Sequence, residues 1–544
     1  MIKSLFLLLA ILSLSLSVNA AEGDHWIMIS SKVDIPDSIL KVGDLLLNVN
    51  GTCVTGYKDP QELNTVMNSA FKPQGQTETY NVLSYGETRE VNLTFTGKMN
   101  FNCSFIRESN SVLTEKARQD FSALLEVMDR AYVKSDRQDY AAARDYLKTI
   151  AQGDLSRSET MDIGLFLKHF SRFLSLLNDG HAGFLPSDVA DAMAARFLLQ
   201  NNDFRFLPLH VEITETGVYT KKTDLFDRKV RIIGINGEKI EDLIEEMLQF
   251  ANGDTNQNKL DDVSENFFLF YYLVKGSVNS FQLTVRDLSR ENELTLTGVP
   301  YQDLLRFSPA PWYYGDPFGF SIKNDVAVMT LKSFGGKKYF YEFVDKCFQE
   351  IKDKNLNRLI IDLRQNGGGG TGYLKHLLSR LTDRKMQFWD GVLVKCSQEA
   401  KDYGYEFDAD LALGESRQYT YEAFSPTAER MFSGEVELLV GRKTFSTAFD
   451  CAVCFSAMKL GTLIGSNTGG NNYSTEQGFR VSIPSAGVEF SVPFKIWINV
   501  NTPAYDSDLS LKPVTCIYQS ESDYFNDIDT VLEYAVKSLG NAGS

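Results

Sequence analysis

The chain has 544 residues, 43% of them hydrophobic and 23% charged, with a formal net charge of −16. That length exceeds one ordinary hydrophobic core and asks for two to four domains, and the acidic balance disfavours nucleic acid or an anionic membrane surface as a partner. Seven cysteines, at 53, 103, 347, 396, 451, 454 and 516, are few for the length, and their odd number leaves at least one unpaired within the chain.

Residues 1–20, MIKSLFLLLAILSLSLSVNA, have a basic start at Lys3, an apolar run and a small-residue end. They read as an export signal cleaved near Ala20 or Ala21, with a periplasmic or extracellular destination. An N-terminal membrane anchor is the alternative. No later segment is long and apolar enough to span a bilayer.

Residues 22–105 read as a β-rich unit: an apolar strand ending at Asn50-Gly51, a helical patch at Pro60–Ala70, and strands at Glu78–Leu83 and Arg89–Phe95. Residues 106–185 read as helices. Ile163, Phe166, Leu167, Phe170, Phe173, Leu174 and Leu177 form one apolar face, which makes His169 a core neighbour, and the last helix ends in the turn Asp179-Gly180-His181. Residues 186–305 are β-rich again. Val230–Ile240 echoes the Leu45–Val54 stretch, an apolar strand followed by Asn-Gly and then another apolar residue, which is either a divergent repeat or the common look of a strand before Asn-Gly.

From residue 306 to 540 strands and helices alternate, as in a layered α/β sheet. Strands are expected at Val326–Leu331, Leu359–Leu363, Val436–Val440 and Leu463–Ile464, and helices at Tyr341–Lys352, Gly372–Leu381 and Ser446–Lys459. Two strand-turn-helix segments carry the chemistry. The first turn holds four glycines, Gly367 to Gly370, whose backbone amides can approach a ligand closely. The second delivers Ser446 at a helix start, where free amides and the positive dipole end lie beside it. A serine between such elements suits acyl transfer with a held oxyanion. Ser446 as a plain N-cap is the structural alternative. Cys451 and Cys454 fall inside the following helix with no second ligand pair, so they read as core residues, with a disulfide or a metal pair as the alternatives.

Asp362-Leu-Arg-Gln-Asn-Gly-Gly-Gly369, Phe445-Ser-Thr-Ala-Phe-Asp450 and Gly465-Ser-Asn-Thr-Gly-Gly470 together resemble the motifs of the tail-specific, or C-terminal processing, serine proteases. The resemblance implies an α/β fold: a ClpP/crotonase-like layered core at 306–540, a helical subdomain, and one or two PDZ-like modules, the first at 22–105. It implies polypeptide substrates and no cofactor or metal. It places the nucleophile at Ser446 and the oxyanion donors at Thr447 and at Gly367 or Gly368. Many bacterial members use a lysine after the Thr-Gly stretch as base, but Asn471 stands there. Asn cannot accept the proton. The branch similar to the tricorn core and the interphotoreceptor retinoid-binding protein carries an Asp-x-His motif instead. Asp179-Gly180-His181 matches it, which makes His181 the base, and Asp506 or Asp508 matches the region of that branch's acid imperfectly. That departure keeps a second reading open, a weak or inactive protein binding peptides or hydrophobic ligands. A crotonase-type hydratase would share the fold but explains neither the export signal nor the PDZ-like module.

Overall fold

The computed structural model describes residues 25–33, 45–54, 60–70, 76–84, 87–94, 100–107, 111–153, 159–183, 205–220, 229–287, 290–299, 316–476, 478–483, 488–501, 505 and 509–541. The expected export signal, Asp506 and Asp508 lie outside them.

The first unit contains β1 (His25–Val33), β2 (Leu45–Val49), β3 (Thr52–Cys53), α1 (Pro60–Ala70), β4 (Thr77–Ser84), β5 (Glu87–Thr94) and β6 (Asn100–Arg107). Its sheet runs β5-β4-β2-β1-β6, all antiparallel. The helical unit follows, with β7 (Ser111–Leu113), α2 (Thr114–Ala131), α3 (Gln138–Gln152), β8 (Thr160–Asp162) and α4 (Ile163–Leu177). Asp162 caps α4 by accepting from the Gly164 and Leu165 amides, and Asn178 ends it in the left-handed conformation at φ 47°. The apolar stripe from Phe166 to Leu177 is buried, as its spacing predicts.

The second β-rich unit contains β9 (Val211–Thr214), β10 (Gly217–Thr220), β11 (Val230–Ile235), β12 (Glu238–Lys239), α5 (Ile240–Leu248), α6 (Asn256–Glu265), α7 (Phe267–Lys275), β13 (Ser280–Asp287) and β14 (Arg290–Thr297). Its sheet runs β14-β13-β11-β10-β9. This order parallels the first unit strand for strand, with β9 standing where β6 stands. The turn chemistry matches too. Asn50 and Asn236 have φ of 51° and 52°, and each is followed by a positive-φ glycine. Each asparagine accepts on Oδ1 from a neighbouring-strand amide, Thr79 or Gln282, at 2.8 Å, and returns its own amide to that residue's carbonyl. The echo in sequence thus has a counterpart in spatial strand order and in hydrogen bonding, although β9 opens its unit in chain order and β6 closes the first.

The core contains β15 (Phe318–Lys323), β16 (Val326–Leu331), α8 (Lys338–Asp353), β17 (Arg358–Asp362), α9 (Thr371–Ser379), β18 (Trp389–Lys395), α10 (Gln398–Asp402), β19 (Ser416–Thr420), β20 (Glu435–Val440), α11 (Thr447–Ala457), β21 (Thr462–Gly465), β22 (Tyr473–Thr475), β23 (Phe479–Ile483), β24 (Val488–Val492), β25 (Lys495–Asn499), β26 (Thr515–Cys516), α12 (Glu521–Phe525) and α13 (Thr530–Asn541). The main sheet runs β15-β16-β17-β20-β21-β26, parallel except for β15. Strands β16, β17 and β20 are buried on both faces, which their continuous apolar runs demand. One face packs on α8, α9 and α11, the other on α13. Cys451 and Cys454 are unpaired and fully buried in the first of these layers. A second sheet, β19-β18-β25-β22, lies beside it. The helical unit, the second β-rich unit and the β23–β24 hairpin share another core. Because β17, β20 and β21 are parallel neighbours, the glycine loop, the Ser446 turn and the Thr-Gly-Gly segment all leave the same sheet edge.

Candidate active site

Each motif residue is held by a specific bond. Arg364 is gripped bidentately by Asp362 and again by Asp529, with N···O distances of 2.6–2.9 Å, which ties the exit of β17 to α13. Asn366 donates to the Leu331 carbonyl and accepts the Gly368 amide at 2.9 Å, so it shapes the glycine loop. Thr444 donates to the Leu363 carbonyl and accepts the Gly441 amide, joining the loop to the serine turn. Gly368 has φ 110°, and a Cβ there would sit 2.7 Å from Ser446 Cβ, so only glycine permits this approach.

Ser446 itself has φ 53° and ψ −130°, a sparsely populated conformation for a residue with a side chain. It makes no capping bond to its helix. Its hydroxyl instead lies 3.2 Å from His181 Nε2, and the imidazole stacks on Phe445 with centroids 4.7 Å apart. Sequence positions 265 apart thereby meet. Thr447 is the first residue of α11, and its hydroxyl donates to the Gly369 carbonyl at 2.6 Å. A cavity of about 600 Å³ opens here, lined by His181, Gly369, Ser446 and Thr447 among others. Of the glycines named from sequence, Gly368 touches Ser446 but gives its amide to Asn366, and neither it nor Gly367 lines that cavity.

The turn carrying His181 is clamped from two sides. Lys259 Nζ donates to the Ser175 carbonyl and to Asn178 Oδ1, and Asn252 donates to the carbonyls of Asp179 and Ala182. Asp179 is fully buried. It accepts from Tyr132 at 2.8 Å and from Thr475, and pairs with Lys134 at 3.4 Å. Asp254, on the loop between α5 and α6, accepts the Gly180 amide at 2.7 Å and the Ser474 hydroxyl at 3.0 Å. His181 Nδ1 is buried and has no hydrogen-bond partner. Asn471, where a lysine base would stand, donates to the Asp254 carbonyl at 3.1 Å, so it braces this loop.

Charge follows burial. Burial pushes the His181 imidazole below its usual 6.5, against the upward pull of Asp254 first and Asp179 second. Burial also raises the Asp254 carboxyl, with Asp179 adding to the rise. For Asp179 burial acts upward, but Lys134, Thr475, His181 and Tyr132 outweigh it and hold the carboxyl below its ordinary range. Asp179, His181 and Asp254 offer ligand atoms within 4.8 Å of one another. Both carboxylates are already engaged, Asp179 by Lys134, Tyr132 and Thr475, and Asp254 by the Gly180 amide and Ser474.

No motif in the sequence marks Asp254, Ser474, Thr475, Tyr132 or Lys134 as part of this site. For Asp254 a signal existed: Asn252-Gly253-Asp254-Thr255 is a turn sequence before a polar helix, and Thr255 caps that helix by accepting the Asn258 amide. Nothing local marks the others.

Residues 325–490 match the family model described as peptidase family S41. No curated protein matches the chain in sequence. Among solved structures, mature CPAF is 15% identical with a TM-score of 0.57, over 79% of this chain and 99% of that one. Mature CPAF complexed with lactacystin is 15% identical with a TM-score of 0.56, over 78% and 98%. At that identity the likeness speaks for the fold, while the match over residues 325–490 speaks for the catalytic class. Residues 325–490 are therefore similar to the domain of peptidase family S41, which points to a serine-type peptidase.

Proposed function

We propose that the protein is an exported endopeptidase in which Ser446 attacks the scissile carbonyl and His181 takes its proton. The 3.2 Å approach of Ser446 Oγ to His181 Nε2, beside an open cavity, is the observation that carries this reading. The imidazole must then be neutral with its proton on Nδ1, and burial favours the neutral form. The Thr447 amide supplies one oxyanion donor. The second is assigned to Gly369 rather than Gly367 or Gly368, because Gly369 lines the cavity and the Gly368 amide is engaged. Each such donor commonly contributes about 3 kcal/mol in the transition state.

The acid that orients His181 is assigned to Asp254, in place of Asp506 or Asp508. Its carboxylate accepts the amide of Gly180, the residue before His181, at 2.7 Å, and pulls the imidazole pKa upward. Asp254→Asn is expected to lower kcat about 10- to 100-fold and to move the acid limb of the pH profile downward, since the charge that raises the imidazole is gone. A rate loss without that movement would make the role structural.

One observation favours a binding protein without turnover: His181 Nδ1 has no acceptor in this geometry. A fluorophosphonate probe separates the two readings. Labelling mapped to Ser446 and lost in His181→Ala supports catalysis, and absence of labelling in folded protein supports binding alone.

The first β-rich unit is proposed as a PDZ-like module that takes an extended peptide end by strand addition. Its deletion is expected to raise KM for long substrates more than for short ones, because only long peptides reach both sites. Equal changes would show a structural role.

A further inference from the structure

We propose that the cavity beside Ser446 receives the side chain on the acyl side of the scissile bond and selects arginine or lysine there, with Asp450 as the counter-ion. This rests on the hydrolytic reading above and adds the substrate class.

Asp450 lies one helical turn beyond Ser446, and its amide closes on the Ser446 carbonyl at 3.0 Å. Its carboxyl therefore projects from the same side of α11 and lines the same cavity as Ser446 and His181. It is only 8% exposed. It accepts from Asn499 Nδ2 at 2.6 Å, and among the described residues it forms no ion pair. Burial without a cation pushes it up to about 6. A buried carboxylate of this kind is costly unless something compensates it.

The surroundings fit a cationic guest. Trp389, Tyr421, Phe424 and Trp497 wall the cavity. Trp389 and Trp497 pack in a tilted pair with centroids 4.3 Å apart, and Tyr421 packs edge-on to each at 5.5 and 5.2 Å. Aromatic faces attract guanidinium and ammonium groups and shelter their aliphatic stems. Asn499, which donates to Asp450, keeps its Oδ1 buried without a partner. A leucine or phenylalanine would fill the walls but leave the carboxyl without a counter-ion.

The other charges lining the cavity are already accommodated. Lys375 Nζ sits 3.4 Å from the Phe424 ring centroid and makes no salt bridge with Asp450, and Glu476 pairs with Lys495 at 2.8 Å. Asp450 is thus the carboxylate in the lining that has no ion-pair partner among the described residues.

The test has two arms. In the first, quenched peptides differing only at the acyl-side residue (Arg, Lys, citrulline, Leu) are compared with the full chain. The expected kcat/KM for Arg and Lys exceeds that for citrulline and Leu by at least ~10-fold. Asp450→Asn brings the Arg-to-citrulline ratio near one. In the second arm, product peptides ending in Arg or citrulline are titrated calorimetrically into Ser446→Ala protein, which needs no turnover. Arg is expected to bind at least ~10-fold tighter. Turnover with Leu preferred, or an Arg preference that survives Asp450→Asn, overturns the pocket assignment. Selective Arg binding without turnover by the native chain keeps the pocket and overturns the hydrolytic reading. Should Asp450→Asn fail to fold, the unmodified chain's Arg-to-citrulline ratio decides alone.

Discussion

Ser446→Ala is expected to lower peptide hydrolysis by at least ~10⁴-fold, the scale on which removing an acyl-transfer nucleophile acts. The fold should persist, because the hydroxyl makes no capping bond and its contact is with His181. A second variant tests the backbone. At φ 53° and ψ −130° any side chain is strained, by roughly 1–3 kcal/mol, and glycine relieves that strain. Ser446→Gly should therefore be as inactive as Ser446→Ala yet resist denaturant better, by about 1 kcal/mol. This outcome would mean that the serine turn stores strain for presenting the hydroxyl. Turnover retained in both variants would remove Ser446 from the chemistry. Equal stability of the two would show that the neighbouring bonds of Thr444 and Gly368, not the local conformation, hold the turn.

The parts of this site readable in sequence are those that local rules determine. The runs at Val326–Leu331 and Val436–Val440 are apolar throughout because both faces of their strands are covered, so their type and limits were clear. The glycine loop and Ser446 follow such strands, and parallel neighbours place them at one edge. The Asn50-Gly51 and Asn236-Gly237 turns were legible for the same reason, since each requires residues that tolerate positive φ. Helix starts were less so. α8 begins at Lys338, before the expected Tyr341, because Gly336 and Lys337 enter it through positive φ values that apolar periodicity does not report. Lys134 and Tyr132 are charged or polar residues at a helix end, where exposure is the ordinary expectation, and only tertiary packing buries them against Asp179. Asp254 belongs to a unit that looked like an insertion. The fold uses that unit's 252–259 loop to clamp the His181 turn, and no sequence period encodes such a long-range contact. Asp450 was visible as part of the serine motif, but its isolation from any cation is a property of the packed cavity.

The pH dependence of hydrolysis should identify the base. With a substrate carrying a neutral acyl-side residue, so that Asp450 does not contribute to binding, kcat/KM is expected to rise with pH through one limb. Neutral imidazole is the competent form, so activity is lost when His181 gains a proton. Burial lowers that pKa below the usual 6.5, and the limb's midpoint should accordingly fall below 6.5. A lysine base would require the opposite placement unless it were deeply desolvated. Lys259 is such a desolvated lysine, lowered to about 8 by burial, but its ammonium is committed to Ser175 and Asn178 rather than to Ser446. His181→Ala should cost at least ~100-fold in kcat and erase the limb below 6.5, leaving the dependence of uncatalysed attack. His181→Ala retaining near-normal rates, with a limb near 8, would transfer the role to Lys259. Loss of activity with the limb unmoved would reduce His181 to a packing partner of Phe445, against which it already stacks. The two carboxylates make the position of the limb informative as well as its existence. Asp254 and Asp179 both pull the imidazole upward, so each sets how far burial can push it down, and the observed midpoint measures the balance between them.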